Sequence, residues 1–165
     1  MVAIRKTVAS ELPRLASILS ASLGRTLQDE LDDQANGVLS LYGVWQDAEP
    51  VAYGFVAWSG PRMAFAAQEL PGVPEIYRLT VQPEFQSQGI GSELIEVMEG
   101  EARARGVMTM GLGVAHSNHR AQALYLRLGY TTAISHYIDE YKIQNNEGAI
   151  VTIREPCKYM IKPLS

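Results

Sequence analysis

The 165-residue chain has the composition of a folded globular protein and lacks the charge of a nucleic-acid-binding one. Apolar residues make up 47% and charged residues 19% of the sequence, and the net charge is −4. These fractions are ordinary for a globular domain, whereas non-specific nucleic-acid binding needs clustered Lys and Arg. We therefore expect a single domain over residues 1–165 with no nucleic-acid partner.

The chain also lacks the marks of export, membrane insertion and cysteine chemistry. Its first fifteen residues contain no apolar stretch of signal-peptide length, and no apolar run approaches 18 residues. Cys157 is the only cysteine, which excludes an internal disulfide and a cysteine-rich metal site. His116, His119 and His136 are not at metal-ligand spacing with acids. These features predict a cytoplasmic protein with no membrane partner and no bound metal.

The first half of the chain predicts a strand, two helices and a β-hairpin. In chain order these are a strand at 2–7, helices at 10–23 and 26–37, and hairpin strands at 38–46 and 51–60. The second helix ends at Asn36-Gly37, and Asp47–Pro50 forms the turn of the hairpin. Residues 60–74 contain three prolines and predict an irregular connection.

The second half predicts strands that alternate with helices. In order, these are a strand at 75–81, a helix from 90, a strand at 107–114, a helix at 117–130, and a last hairpin plus final strand. The period of two places four residues of the first strand on one side: Glu75, Tyr77, Leu79 and Val81. The helix from Ile90 turns Leu94, Val97, Met98 and Ala102 inward, and carries outward pairs Glu99–Arg103 and Glu101–Arg105. The sum predicts an α/β (α+β) domain with a mixed sheet.

The stretch QSQGIG, residues 86–91, lies between a predicted strand and a predicted helix and is a candidate phosphate-binding turn. A Rossmann fingerprint needs a third glycine and a later acid, but Leu94 follows the pair and residues 107–114 hold no acid. A Walker loop needs Gly-Lys-Ser/Thr, and the chain has Gly91-Ser92-Glu93. Two interpretations remain: backbone N–H groups that hold another pyrophosphate, or a turn that only allows tight packing.

Two motifs taken together resemble the GNAT N-acetyltransferase superfamily. The first is LTVQPEFQSQGIGSEL, in which Gln86, Gly89 and Gly91 match. The second is NHRAQALYLRLGY, and its matching residues are Asn118, Ala121, Tyr125, Gly129 and Tyr130. The resemblance spans residues 75–130. It implies a mixed, mostly antiparallel central sheet flanked by helices, and a loop that holds the pyrophosphate of acetyl-CoA.

The resemblance also implies which residues bind coenzyme A. These are Leu79, Val81, Gln86, Ser87, Gln88, Gly89, Ile90, Gly91, Ser92 and Asn118. Backbone amides of Leu79 and Val81 would line the thioester and pantetheine, although any core strand would contain the same residues. Asn118 would equally serve as a helix N-cap. Gln86 and Gln88 stand where many relatives have Arg or Lys, which removes positive charge but leaves the amides.

Two side chains are candidates for the acid–base chemistry. By resemblance, Tyr125 lies near the CoA sulfur and returns a proton to the thiolate; the alternative is a core tyrosine. Glu75 is the candidate base, directly or through water. Taking a proton from an ammonium near neutral pH calls for a partly buried carboxylate with a raised pKa. The alternative is a solvated glutamate at the end of a strand.

These observations predict an acetyl-CoA-dependent N-acetyltransferase that acts on a primary amine of a small molecule, peptide or protein, by direct attack in a ternary complex. The alternatives are a non-catalytic acyl-CoA-binding or sensor module of the same fold, and an unrelated anion-binding protein. The acceptor is not identified. The acids Asp29, Glu30, Asp32 and Asp33 would suit a cationic acceptor or form a solvated helix face. Tyr137 and Tyr141 would wall the acceptor pocket or support a homodimer.

Overall fold

The computed structural model describes residues 2–165 as one seven-stranded sheet flanked by helices. The strands are β1 (Ala3–Lys6), β2 (Leu39–Gln46), β3 (Glu49–Ala57), β4 (Glu75–Val81), β5 (Thr109–Ala115), β6 (Thr131–Gln144) and β7 (Ile150–Pro163). The helices are α1 (Leu12–Leu15), α2 (Leu27–Ala35), α3 (Ala64–Glu69), α4 (Ile90–Ala104) and α5 (His119–Arg127). The spatial order is β1-β2-β3-β4-β5-β7-β6, and only β4 and β5 pair in parallel. The predicted mixed, mostly antiparallel sheet is confirmed.

Several local signals form the elements they predict. Asp47 and Ala48, between β2 and β3, have φ of 50° and 66°, which matches the turn that suits the twist of a two-residue hairpin. Thr26 caps α2: its hydroxyl accepts from the Asp29 N–H while the Asp29 carboxylate accepts from the Thr26 N–H. Residues 60–74 are less irregular than predicted, because they include α3.

The first predicted helix is much shorter than the sequence pattern suggested. Only α1 is helical, after a 3-10 turn at Ala9–Glu11. Beyond it, the Ser17 hydroxyl donates to the Arg14 carbonyl at 2.7 Å, and such local bonds compete with continued helix. The segment still buries Leu15 and Leu19 against the sheet, so the apolar pattern was right although the helix length was wrong.

The buried face of α4 is shifted from the predicted one. Val97, predicted inward, is 39% exposed, whereas Glu99, predicted outward, is 3% exposed. The Glu99 carboxylate is buried because it accepts hydrogen bonds from Lys162 Nζ at 2.6 Å and from the Tyr130 hydroxyl at 3.3 Å. A buried charge needs such partners. Both partners are distant in sequence, so helical periodicity alone cannot reveal them.

β4 changes its alternation at Arg78, contrary to the sequence prediction. Tyr53 of β3 pairs with Thr80, while Phe55 pairs with Tyr77, so β4 has one extra residue, a β-bulge. Arg78 has φ of 52°. Tyr77 therefore packs with the core beneath α1 and α2, while Leu79 packs with the core beneath α4. The prediction that Glu75, Tyr77, Leu79 and Val81 share one side was wrong, because the bulge sends the last two to the opposite face.

The C-terminal strands form one long hairpin instead of a hairpin and a separate last strand. β6 and β7 contain 14 residues each. β7 inserts between β5 and β6, and its pairing with β5 begins at Cys157 opposite Ala115. The distal half of the hairpin therefore extends beyond the sheet as a two-stranded ribbon. This ribbon contains residues 138–144 of β6 and 150–156 of β7.

Candidate active site

β4 and β5 are parallel neighbours that pair at only two positions. Glu75 lies opposite Gly111, and Ile76 lies opposite Leu112. Beyond Ile76 the strands separate, so the edge of β4 that faces β5 has unpaired backbone groups. A cavity of about 570 Å³ opens at this point, a size typical of small-molecule sites. We call it the β4–β5 cavity. It is lined by Leu79 and Val81 of β4 and, across from them, by residues of α5.

The glycine-containing turn forms one end of the β4–β5 cavity. Gly89 is the N-cap of α4 with φ of 84°, a conformation that glycine adopts without strain. The first N–H groups of α4 have no intrahelical acceptor and carry the positive end of the helix dipole. A Cβ added to Gly91 would lie 3.5 Å from Leu124 and 3.9 Å from Val81, two cavity residues. A Cβ at position 91 would therefore make ordinary contacts with both residues and occupy space in the cavity.

Nine of the ten predicted cofactor-binding residues line the β4–β5 cavity: Leu79, Val81, Gln86, Ser87, Gly89, Ile90, Gly91, Ser92 and Asn118. Gln88 does not line it, because its side-chain amide turns away and donates to the Glu84 carbonyl at 3.3 Å. The position of Asn118 is compatible with both of its predicted roles, which are helix capping and cofactor binding. Its side-chain oxygen accepts from the Ala121 N–H at 3.1 Å, which caps α5, and the residue also lines the cavity.

Arg120 is a cavity residue that the sequence analysis missed. Its Nη1 donates to Gln86 Oε1 at 2.6 Å, and its Nη2 donates to Ser87 Oγ at 2.8 Å. Gln86 in turn donates to the Val81 carbonyl at 3.0 Å. The Arg120 guanidinium thus supplies a positive charge beside the turn. In many relatives, Arg or Lys at the positions of Gln86 and Gln88 would supply that charge. Arg127, at the end of α5, lines the same cavity.

We expect Arg120→Ala to raise the KM for acetyl-CoA about tenfold and to change kcat little. The variant loses two charge-assisted hydrogen bonds that fix the turn and one positive charge near the anion site, and such bonds contribute about 1.5–3 kcal/mol. Steady-state kinetics at saturating acceptor measure this. Arg154→Ala is the control, because Arg154 pairs with Glu140 on the distant hairpin. An unchanged KM for Arg120→Ala would show that the turn holds its ligand without the guanidinium.

Tyr125 combines burial with access to the β4–β5 cavity. The residue is 8% exposed and lines the cavity, and its ring meets the Tyr130 ring edge-on at 6.2 Å. Burial raises the pKa of Tyr125 to about 12, so the phenol is protonated at neutral pH. Its hydroxyl makes no hydrogen bond to any of residues 2–165. The geometry thus places a protonated phenol in the lining of the cavity.

Glu75 lies where β4 and β5 meet, with its side chain on the face that carries Tyr77. It is 6% exposed, so the alternative of a solvated strand-end glutamate was wrong. Burial raises the pKa of Glu75, while the nearby Tyr159 hydroxyl and Arg62 partly offset this rise. A carboxylate with a raised pKa is suited to accept a proton near neutral pH.

Two tyrosines lie over two glycines of β5 beside Glu75. A Cβ on Gly111 would come within 2.6 Å of the Tyr159 ring, and one on Gly113 would collide with the Tyr137 hydroxyl. The two glycines therefore make room for the rings. Burial is the main cause that raises the pKa of both tyrosines. The negative charge of Glu75 and other nearby groups raise it further. Tyr159 is fully buried, and its hydroxyl faces Glu75 without meeting hydrogen-bond geometry to any described residue.

The remaining polar candidates do not form a metal or thiol site. Among residues 2–165, no three His, Cys, Asp or Glu side chains gather as a metal site would require. His116 and His136 do stack, with Nε2 and Nδ1 3.3 Å apart, a contact that their spacing did not indicate. Cys157 is buried, and burial raises its pKa to about 11, which leaves little thiolate at neutral pH. No helix in the same described range has the length and apolar character needed to span a bilayer.

The comparisons with known proteins agree with this geometry. Residues 8–130 match the family model described as the acetyltransferase (GNAT) family. The chain belongs to this family. The match contains the β4–β5 cavity, Glu75, and both motifs, so the resemblance stated from the sequence is confirmed.

Named relatives fall within the same family. The chain is 38% identical over 108 residues to the [ribosomal protein bS18]-alanine N-acetyltransferase of Escherichia coli K12, covering 65% of this chain and 68% of the relative. It is 37% identical over 76 residues to the same enzyme of Salmonella typhimurium LT2, covering 46% of this chain and only 51% of the relative. The solved PaiA N-acetyltransferase of Thermoplasma acidophilum, in complex with coenzyme A, is 17% identical with a TM-score of 0.66, covering 99% of each chain. This last likeness establishes the shared fold.

Proposed function

We propose that the protein transfers the acetyl group of acetyl-CoA to a primary amine of a small molecule or of a peptide or protein. The observation that carries the proposal is the opening between β4 and β5. On one face of the sheet, this opening is lined by the glycine turn and Tyr125. On the opposite face, where β4 and β5 meet, lies the buried Glu75.

The residues of the β4–β5 cavity fit an acyl-CoA. The N–H groups at the start of α4, with Arg120 beside them, suit a pyrophosphate. The unpaired edge of β4 suits the amides of pantetheine, which would pair with it as an added strand does. When bound, acetyl-CoA supplies an acetyl group activated as a thioester. These features support coenzyme A as the ligand of this cavity.

In the proposed reaction, the two acid–base groups act from opposite sides of the thioester. Glu75, directly or through a water molecule, takes a proton from the acceptor ammonium, so that the free amine attacks the thioester carbonyl. Backbone N–H groups of β4 donate to the carbonyl oxygen as negative charge develops there. A C–N bond forms, the C–S bond breaks, and Tyr125 gives its proton to the departing thiolate. The new amide nitrogen then loses its second proton through water, which restores the Tyr125 phenol.

The non-catalytic acyl-CoA-binding module is the weaker alternative. A module that only binds acyl-CoA has no use for a buried carboxylate with a raised pKa on the face opposite the ligand. The relatives in E. coli and Salmonella are named for acetylation of an alanine of a ribosomal protein. That activity supports an amine acceptor for this chain, and a ribosomal-protein substrate supports the proposal of a cytoplasmic enzyme.

Two measurements test the proposal in order. Acetyl-CoA at a hundred times its Kd should stabilise the fold by about 2.7 kcal/mol, which corresponds to a Tm increase of roughly 5–10 °C. NAD and ATP serve as control nucleotides that should not do so. Release of the CoA thiol is then followed across polyamines, amino acids, aminoglycosides and peptides. Stabilisation without thiol release from any amine would favour the non-catalytic module, and no stabilisation would contradict acyl-CoA binding.

A further inference from the structure

A second cleft lies on the face of the sheet that carries Glu75 and Tyr77. It has a volume of about 290 Å³ and is bordered by α2, the end of β3, the loop at residues 59–62, and Tyr77. Glu75 and Tyr77 point to the same side of β4, roughly 6–7 Å apart along the strand. The backbone N–H of Arg62, in the bordering loop, faces the Glu75 carboxylate. The cleft, which we call the Arg62 cleft, therefore adjoins the candidate base.

Arg62 presents a guanidinium that forms no direct ion pair within the described part of the chain. Its guanidinium lies over the Tyr77 ring, 4.0 Å from the ring centroid. Among residues 2–165, no carboxylate lies within ion-pair distance of Arg62, and its side chain donates no hydrogen bond. Glu75 and Asp139 lie close enough that Arg62 offsets part of the pKa rise that burial causes in each. Stacking on an aromatic ring holds a guanidinium in place while its N–H edge stays free for a planar anion.

The two acids and two arginines that line the Arg62 cleft balance in charge, and one of the arginines holds both acids. Arg25 binds the carboxylates of both Glu30 and Asp33, at 3.4 Å and 2.5 Å. The cleft also contains the hydroxyls of Ser22, Ser59 and Tyr77, and none of these three hydrogen-bonds to another described residue. The groups left free in the cleft are therefore one guanidinium and three hydroxyl donors. Such a set is suited to the oxygen atoms of an anion.

We propose that the acceptor amine carries a carboxylate, and that Arg62, stacked on Tyr77, binds this carboxylate while the amine lies toward Glu75. The inference rests on the proposed function, because it names the substrate class of that reaction. The cleft volume lies just below the range of about 300–1,000 Å³ that is usual for small-molecule sites. It favours a compact amino-acid-like amine over an extended polypeptide.

The test uses acceptors that differ only by one carboxylate. Suitable pairs are lysine with cadaverine, ornithine with putrescine, and arginine with agmatine, with CoA thiol release as the readout. The protein should use the carboxylated member at least tenfold more efficiently. Arg62→Ala should raise the KM for that member about 10- to 100-fold, with little change in kcat, because a charge-assisted hydrogen-bonding partner is lost. Because Arg62 also lowers the pKa of Glu75, rates are compared on the pH-independent plateau, where Glu75 is ionised in the variant and in the parent protein. Under that condition the decarboxylated member should be unaffected.

Two further variants make the result specific. Arg62→Lys keeps the charge but not the planar fork, so it should restore only part of the affinity. Arg14→Ala is the matched control, since Arg14 is also exposed but donates to the Ala48 carbonyl elsewhere; it should change neither member of a pair. The Tm of each variant, compared with that of the parent protein, verifies that the fold is intact.

The outcomes separate this inference from the proposed function. Equal use of both members of every pair, or thiol release with peptides alone, would overturn the carboxylate site and leave N-acetyl transfer standing. An equal effect of Arg62→Ala on both members would also overturn it, because Arg62 would then act through Glu75. Thiol release from no amine at all would contradict the proposed function, and the inference with it.

Discussion

Tyr125→Phe is expected to lower kcat by about 10²- to 10⁴-fold, the usual contribution of a general acid, while acetyl-CoA binding stays nearly unchanged. Tyr125 lines the β4–β5 cavity, and its pKa of about 12 keeps the proton available at neutral pH. Phe fills the same space without the proton, so the thiolate would have to leave unprotonated. Single-turnover kinetics, together with the Tm increase produced by acetyl-CoA, measure the two effects separately.

Tyr130→Phe is the control for this prediction. Tyr130 packs edge-on against Tyr125, but its hydroxyl donates to Glu99 at 3.3 Å and it does not line the cavity. Tyr130→Phe should therefore lower the Tm, because the buried Glu99 loses a donor, and should leave kcat nearly intact. The alternative of Tyr125 as a purely structural core tyrosine makes the opposite prediction. In that case Tyr125→Phe would turn over as fast as the parent protein.

The sequence could predict the parts of the site that are local in the chain. The glycine turn and the start of α5 each fit within sixteen residues, and their backbone conformations follow from glycine, Asn118 and the helix ends. Their combined resemblance to the two GNAT motifs was enough to indicate the ligand class. The cavity did not follow from these local signals, because Leu79 and Val81 line it only through the bulge at Arg78 and residues of α5 form its other wall.

The parts that the sequence could not predict depend on distant contacts. Arg120 reaches Gln86 and Ser87 across more than 30 residues. The bulge at Arg78 has no local signal, because arginine rarely adopts positive φ and nothing nearby predicts it. From the sequence alone, Glu75 at the start of its strand could have been either solvent-exposed or buried. Only the packing of Tyr159 over Gly111 shows why it is enclosed.

Glu75→Gln is expected to lower kcat/KM by about 10²- to 10⁴-fold and to remove the acidic limb of its pH profile. A general base works only when it is ionised, and burial raises the pKa of Glu75 above its usual value. The activity of the parent protein should therefore rise with pH through that raised pKa and then level off. A Glu75→Gln variant that keeps the same acidic limb would show that another group is the base.

Tyr159→Phe tests whether the limb belongs to Glu75. The Tyr159 hydroxyl lowers the pKa of Glu75 against the larger effect of burial, so its removal should move the acidic limb to higher pH. Tyr42→Phe is the matched control, because Tyr42 is also buried with an unpartnered hydroxyl but lies in the core beneath α4. An equal shift in both variants would contradict the assignment.

The same raised pKa has a consequence for stability whose sign is opposite to that for activity. Because the folded protein binds the Glu75 proton more tightly than the unfolded chain does, the stability that Glu75 contributes is fully present at low pH. It is lost as pH rises through the folded pKa. Glutamine carries no such charge, so Glu75→Gln should have a higher Tm than the parent at about pH 8, and the difference should vanish near pH 4. A variant that is less active and more stable would indicate that Glu75 is kept for chemistry at the expense of folding.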